Sequence, residues 1–509
     1  MKQTINPMRM KQTIAAAILL CCLTIPSQAV VRLPEALGDH MVLQQNADIK
    51  LWGWAFPGET VLIETSWGVN AKVGVGPLGD WTVLVKTPAA QPLSKGLHPE
   101  NITFTVNSEN TVQIKDLLIG EVWLCSGQSN MDMILRPGYP QGWCAWFGDA
   151  FWEEESKTPE RPALRIFDVA KAVASTPQTD CRSALNQVME PKDANGLIPA
   201  IRRGWQACTL DNRPYFHAVA YYFGAALQDK LDVPVGLVTA TVGGTRIKSW
   251  VSVESLRTIP GFVDAAPTPL NPFQGTPGCL YNAMIAPLTP MKLRGAIWYQ
   301  GESDVGSPYA LLFQTMIADW RRAFGIPKMP FYFVQIAPIN SSNPAKQAEL
   351  REDQAAALKV ENTGMAVSLD VSDPDNIHPK NKRDIGRRLA MQALAKTYGH
   401  TEIVADGPTP ESVTLRDGKL EIAFRGMGDG LVSRDGNPLG CFEIAGEDGK
   451  FVPAEALITK ESVVVVSNPA VAQPKHVRFA WGNADVPNLT SKNGLPVAQF
   501  RMTTNETIK

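Results

Sequence analysis

Histidine is scarce in this chain of 509 residues, which carries six: His40, His98, His217, His378, His400 and His476. A mechanism that uses imidazole as a base has few candidates, and a three-histidine metal site would consume half of them. A surplus of either charge is also lacking. Lys and Arg number 48 against 50 Asp and Glu, so nothing advertises the concentrated positive patch that a nucleic-acid partner requires. Cysteine is too sparse for a disulfide-stapled scaffold, with eight in all, and no two form a Cys-x-x-Cys unit. That spacing excludes a thioredoxin-like centre and a zinc knuckle; with no His-x-x-x-His pair either, no metal is expected. Gly243-Gly244 lacks the spacing of a dinucleotide-binding loop, so no cofactor is expected.

What is present starts with the N-terminus. Lys2, Arg9 and Lys11 precede an apolar run from Ile14 to Ile25, followed by Pro26 and a small residue, Ala29. This is the pattern of a secretory signal peptide over residues 1–29. A run of about 12 apolar residues is too short to span roughly 30 Å of hydrocarbon, so stable membrane insertion is not expected. Cleavage removes three positive charges and no acidic one, taking the formal net charge from −2 to −5, and places the mature chain in the periplasm or outside the cell. Six cysteines remain, among which Cys125 reads as free in a buried strand while some loop cysteines are expected to pair.

The rhythm of the chain changes twice. Residues 30–115 show short alternating stretches around Val61, Ile63, Val83, Val85, Ile102 and Phe104, broken by Pro-Gly turns, and read as a small β-sandwich. Over 116–401 apolar runs recur at Leu117 to Leu124, Val235 to Thr241, Leu293 to Tyr299, Pro330 to Ile336 and Met365 to Leu369. Runs of that kind suit strands buried on both faces. Between them Phe216 to Lys230, Tyr309 to Ala323, Ala348 to Val360 and Asn381 to Thr397 carry apolar residues at helical spacing. The Pro-rich segment from Ser249 to Pro290 reads as an irregular excursion over the sheet. After residue 402, β signals return to the end of the chain. The expected class is α/β, a three-layer sandwich with a parallel sheet and β-rich flanks.

In an open parallel sheet, chemistry collects beyond the carboxyl ends of the strands. Four polar, turn-forming blocks fall there: Gly127-Gln128-Ser129-Asn130-Met131, Gly243-Gly244-Thr245-Arg246, Gln300-Gly301-Glu302-Ser303 and Asp373-Pro374-Asp375-Asn376-Ile377-His378. Together they supply a hydroxyl, backbone donors, a side-chain amide, and a carboxylate beside an imidazole.

These blocks, with Gly295 to Tyr299, His378 to Lys382 and Val477 to Asn483, resemble the conserved blocks of SGNH-type hydrolases, and within them the sialate O-acetylesterase family of carbohydrate esterases. The resemblance runs through nearly the whole mature chain. It implies Ser129 as nucleophile, His378 as its base and Asp375 as the carboxylate that orients the imidazole, with Asp373 as a rival. It further implies an oxyanion hole made by the N–H groups of Ser129 and Gly244 and the side-chain amide of Gln300. Glu302 stands where other SGNH hydrolases carry a donor; a carboxylate cannot donate, so it is read as an acceptor that fixes neighbouring donors. Arg246 suits either an anionic sugar carboxylate or a structural ion pair. His217 reads as a core residue, and Trp250, Trp298 and Tyr299 as core or as surface for a sugar face. The implied partner is an acetylated sugar or glycan, with sialic acid first and acetylated xyloglucan or xylan as the alternative.

Overall fold

The computed structural model describes residues 31–504, apart from 108–109, 138–147, 182–203, 263–268, 341–343 and 461–462. The expected leader over 1–29 and Cys144 lie outside the described residues.

Seven strands build the central sheet: β1 (Asn110–Gly127), β2 (Arg161–Asp168), β3 (Trp205–Cys208), β4 (Val235–Thr241), β5 (Gly295–Tyr299), β6 (Phe331–Val334) and β7 (Thr363–Ala366). Their order is β7-β6-β5-β1-β4-β2-β3, parallel throughout except for β3, which runs antiparallel to β2. Helices around the sheet include α1 (Ser129–Asp132), α2 (Ala218–Leu231), α3 (Tyr309–Ala323), α4 (Pro344–Ala355) and α5 (Lys382–Lys396).

Strand alternation makes the three layers. Trp123 and Cys125 of β1 and Ile297 and Tyr299 of β5 face one way, into a core completed by α2 and α5. Val122, Leu124, Ala296 and Trp298 face the other, into a core completed by Phe313, Met316 and Trp320 of α3. Both faces are covered, which is why these strands read as unbroken apolar runs. Trp250, Trp298 and Trp320 stack edge to face in the second core, at centroid separations of 5.9 and 5.7 Å. With Tyr299 also fully buried, Trp250, Trp298 and Tyr299 are core, and none of them offers a face to sugar.

The expected division at residues 115 and 116 falls inside one strand. β1 is 18 residues long. Its first half pairs antiparallel with Glu100–Val106, and its second half pairs in parallel with β4 and β5. Asp116, at φ 51°, marks the bend between them. In the N-terminal region Asp48–Trp54 with Asp80–Lys86 make one sheet, and Thr60–Thr65, Asn70–Gly74 and Glu100–Val106 continue β1 in the other. Trp81 packs on Phe104 between them at 5.7 Å.

The C-terminal region is two four-stranded antiparallel sheets and a strand pair around Ile422, Phe424, Ile444, Val477 and Phe500. It is fastened to the α/β core by buried cations. Arg351 of α4 donates to Gln499 Oε1 at 2.5 Å and to the Gly482 carbonyl at 3.2 Å. Asp370, just after β7, takes a bidentate pair from Arg388 of α5 at 2.6 and 2.7 Å and faces Arg434 at 3.4 Å.

Cys125 is free and buried, as expected, but Cys208, Cys279 and Cys441 are free as well. Cys208 lies in the α2/α5 core and Cys279 in the α3 core, on opposite faces of the sheet, so the expected loop pairings are not made at these positions. No helix among the described residues is long and apolar enough to cross a membrane.

Candidate active site

The site is assembled where β1, β4, β5 and the segment after β7 end together. β1 closes on Gly127, at φ 145°, and a Cβ there would stand 2.1 Å from the Tyr299 carbonyl oxygen of β5. Only glycine lets the two strand ends approach so closely. Gln128 then donates its N–H to that same carbonyl at 3.0 Å, and the chain turns into α1 with Ser129 as its first residue. Ser129 is 9% exposed.

His378 meets it from the segment after β7. The Nε2 of His378 lies 2.8 Å from Ser129 Oγ. The turn that presents the imidazole is built locally: Asn376 donates its N–H to the Asp373 carbonyl at 2.9 Å, and its Oδ1 receives the N–H of His378 at 3.0 Å. Burial, aided by the nearby Lys382 ammonium, pushes the imidazole down to about 4. At neutral pH the ring is therefore uncharged, and if Nε2 is the unprotonated nitrogen it can accept the serine proton.

Gly243 runs against the nucleophile. A Cβ at this position would come within 3.3 Å of Ser129 Cβ. The next residue, Gly244, has φ 72°. The loop expected to supply a backbone donor therefore lies beside the serine.

Gln300 has a different task from the one its block implied. It is fully buried, and its Nε2 donates to the Thr245 carbonyl at 3.0 Å and to Asp304 Oδ2 at 2.5 Å, while its Oε1 accepts from Tyr309 OH at 2.9 Å. An amide nitrogen carries two hydrogens, and both are engaged, so none is left for an oxyanion. Gln300 instead ties the Gly243-Gly244 loop to the turn that begins at Glu302.

Glu302 accepts from Asn130 Nδ2 at 2.5 Å, and burial raises its carboxyl. Asn130, the residue after the nucleophile, also donates to the carbonyl of Ile377, the residue before the base, at 3.1 Å. The fully buried Lys382 completes the set by donating its Nζ to Asn130 Oδ1 at 2.6 Å. One amide thus links both halves of the serine–histidine pair, and its orientation is set by a cation on one side and a carboxylate on the other.

Asp375 lies on the His378 turn but is exposed. Its carboxylate accepts from Asn340 Nδ2 at 2.5 Å and its N–H donates to Asp373 Oδ1 at 3.0 Å. Burial, and after it the Lys382 ammonium, lower the His378 imidazole. The structure brings Ser129 and His378 together and leaves the Asp375 carboxylate with Asn340. Arg246 is exposed, and close enough to Asp304 to oppose the upward push of burial on that carboxyl.

Sequence reasoning passed over the supports beneath the nucleophile. Asp132, the last residue of α1, accepts from Thr241 Oγ1 of β4 at 2.7 Å and pairs with Lys171 Nζ at 2.9 Å. Buried His217 lies 3.3 Å from Asp168; desolvation is the largest influence and lowers the ring, but the charge and hydrogen bond of Asp168 and the charge of Asp132 together raise it. Asn130 and Lys382 sat inside the blocks already singled out. Their signal was the charge of Lys382 shortly after His378, at the start of α5.

The site can carry out nucleophilic acyl transfer, and comparison with known proteins agrees. Residues 212–395 match the family described as carbohydrate esterase, sialic acid-specific acetylesterase. The human sialate O-acetylesterase is 30% identical over 490 residues, covering 88% of this chain and 87% of the human protein. The Pongo abelii sialate O-acetylesterase is 28% identical over 488 residues, with 88% and 87% covered. A carbohydrate acetylesterase from Xanthomonas citri superimposes with a TM-score of 0.79 at 32% identity, covering 93% of this chain and 99% of that one. The chain belongs to the sialate O-acetylesterase family of carbohydrate esterases.

Proposed function

We propose that the protein releases acetate from O-acetylated sugars, esters of sialic acid foremost, through an acyl-enzyme on Ser129. The observation that carries this reading is the 2.8 Å approach of His378 Nε2 to Ser129 Oγ. As Oγ adds to the ester carbonyl, His378 takes its proton; the tetrahedral oxygen is met by the N–H groups of Ser129 and Gly244. The imidazolium then protonates the departing sugar oxygen. Water, deprotonated by the same imidazole, cleaves the acetyl-serine, and acetate leaves as Ser129 recovers its proton. Asp375 is assigned to the imidazole as its orienting carboxylate, turning from Asn340 when substrate binds, since catalytic hydrogen bonds commonly tighten only in the complex.

Acetate release by the wild-type protein and by Ser129→Ala tests the reading. The variant should lose at least about 10³-fold in kcat, and wild-type rates in the variant would refute it. A polymer reading, with acetylated xyloglucan or xylan as substrate, has the support of the broader carbohydrate acetylesterase likeness. Acetate release from 9-O-acetyl sialic acid and acetylated xyloglucan at equal enzyme concentration separates the two. The proposed location is the periplasm or the exterior, after cleavage following Ala29, and N-terminal sequencing of exported protein checks it.

A further inference from the structure

We infer that His217 is a positioning residue for Ser129 and works as an imidazolium, a cation clamped between α1 and β2; its effect on rate rests on the esterase reading above. The ring is 3% exposed. Its Nδ1 lies 3.2 Å from the Met131 carbonyl oxygen, and its Nε2 lies 3.3 Å from Asp168 Oδ1. A carbonyl and an ionised carboxylate can only accept, so both ring nitrogens face acceptors. A neutral imidazole carries a single N–H and would set a lone pair against one of these oxygens, out of reach of water. A doubly protonated ring serves both.

Charged groups face the ring from α1, from β2 and from the segment after β2. Asp132 Oδ1 of α1 stands 3.9 Å from Nδ1, Asp168 ends β2, and Lys171 pairs with Asp132 at 2.9 Å. His217 itself caps the start of α2, a helix end that disfavours a cation. Desolvation, the largest influence, and Lys171 lower the ring; the charge and hydrogen bond of Asp168 and the charge of Asp132 raise it, and the balance lies above its ordinary value of 6.5.

The clamp matters because α1 is only four residues long. A single helical turn has little stability of its own, so its placement comes from what holds it. His217 faces two of the four residues, Met131 and Asp132, and Ala218 beside it donates its N–H to the Met133 carbonyl at 2.7 Å. Behind the ring stands α2, buried along most of its 14 residues. The cation therefore joins a well-packed helix to the turn that presents the nucleophile. As pH rises through the value of the ring, the proton leaves and one contact becomes repulsive. The hold on α1 weakens, Ser129 loses its line to His378, and activity present below that pH is lost above it.

Histidine-selective ¹³C NMR titration of the whole protein, with the His217 signal identified by its loss in His217→Gln, reads the charge of the ring without an assay. The ring should titrate above 6.5, and the alkaline limb of kcat/KM on 4-nitrophenyl acetate should coincide with it. Asp168→Asn removes a counter-ion and should move titration and limb down by about one pH unit. Lys171→Met removes an opposing cation and should move both up. His217→Gln should lose the limb and lower kcat by about 10²-fold with KM little changed, the usual cost of a small misplacement of reacting groups. A limb that stays in place in folded Asp168→Asn and Lys171→Met proteins would overturn the inference, even if His217→Gln does not fold. A wild-type protein that releases acetate while His217 is neutral below its ordinary value would overturn the inference alone. One that releases no acetate from any ester would overturn the esterase reading, and the inference with it.

Discussion

Asn130 Nδ2 donates to the carbonyl of Ile377 across a sequence separation of 247 residues, so the neighbour of the nucleophile holds the neighbour of the base. Asn130→Asp is nearly isosteric but removes both donors and sets a second carboxylate beside Glu302. We expect kcat to fall by about 10²-fold, as when one well-placed polar contact is lost from a site, with KM little changed. Steady-state assays on an acetylated sugar check this, and a wild-type kcat would show that the link does not set the geometry.

The imidazole is depressed from its ordinary value of 6.5 to about 4. The base works only when neutral, so activity is present above that value and lost as pH falls through it. The acid limb of kcat/KM, which reports the free enzyme, should therefore lie near 4 rather than 6.5. Lys382→Met removes the ammonium that helps to depress the ring, and the limb should move upward. An unmoved limb in a folded variant would mean that burial alone sets the base.

Gln300→Leu separates the two tasks proposed for that amide. As a tie between Thr245, Asp304 and Tyr309, its loss should lower Tm by several degrees, in line with about 2 kcal/mol for buried groups left without partners. The variant should keep kcat within about 10-fold of wild type. A fall of about 10²- to 10³-fold in kcat with Tm unchanged would restore the oxyanion role.

Asp375→Asn tests the orienting carboxylate. With the charge gone the imidazolium loses its counter-ion, and kcat should drop by up to about 10⁴-fold. Retention of most activity would mean that Ser129 and His378 work without a third member and that Asp375 serves only to hold Asn340.

The four blocks that mattered were legible because turns at strand ends need small and polar residues, and those residues also carry the chemistry. β4 and α3 were read to the residue, the first because it is apolar throughout and the second because its apolar stripe is unambiguous. β2 was not legible. Pro162 and Arg165 break its apolar run, and only the fold reveals that Arg165 is satisfied by Asp116 at 3.1 Å and by the Pro162 carbonyl at 3.1 Å. The task of Gln300 was hidden for a similar reason. A sequence shows an amide at the right strand end but not which acceptors claim its hydrogens.

The length of β1 bears on how the chain comes to be folded. Its first half finds its antiparallel partner in Glu100–Val106, a few residues upstream, whereas its last residue pairs with Thr241 and Tyr299. During synthesis the N-terminal sandwich can close early, yet it must hold out an unfinished strand edge until β4 and β5 arrive. Such an edge invites pairing with the wrong chain. The residue at its tip is Gly127, the turn from which Ser129 is presented, so the nucleophile is among the last parts of the early half to be set in place.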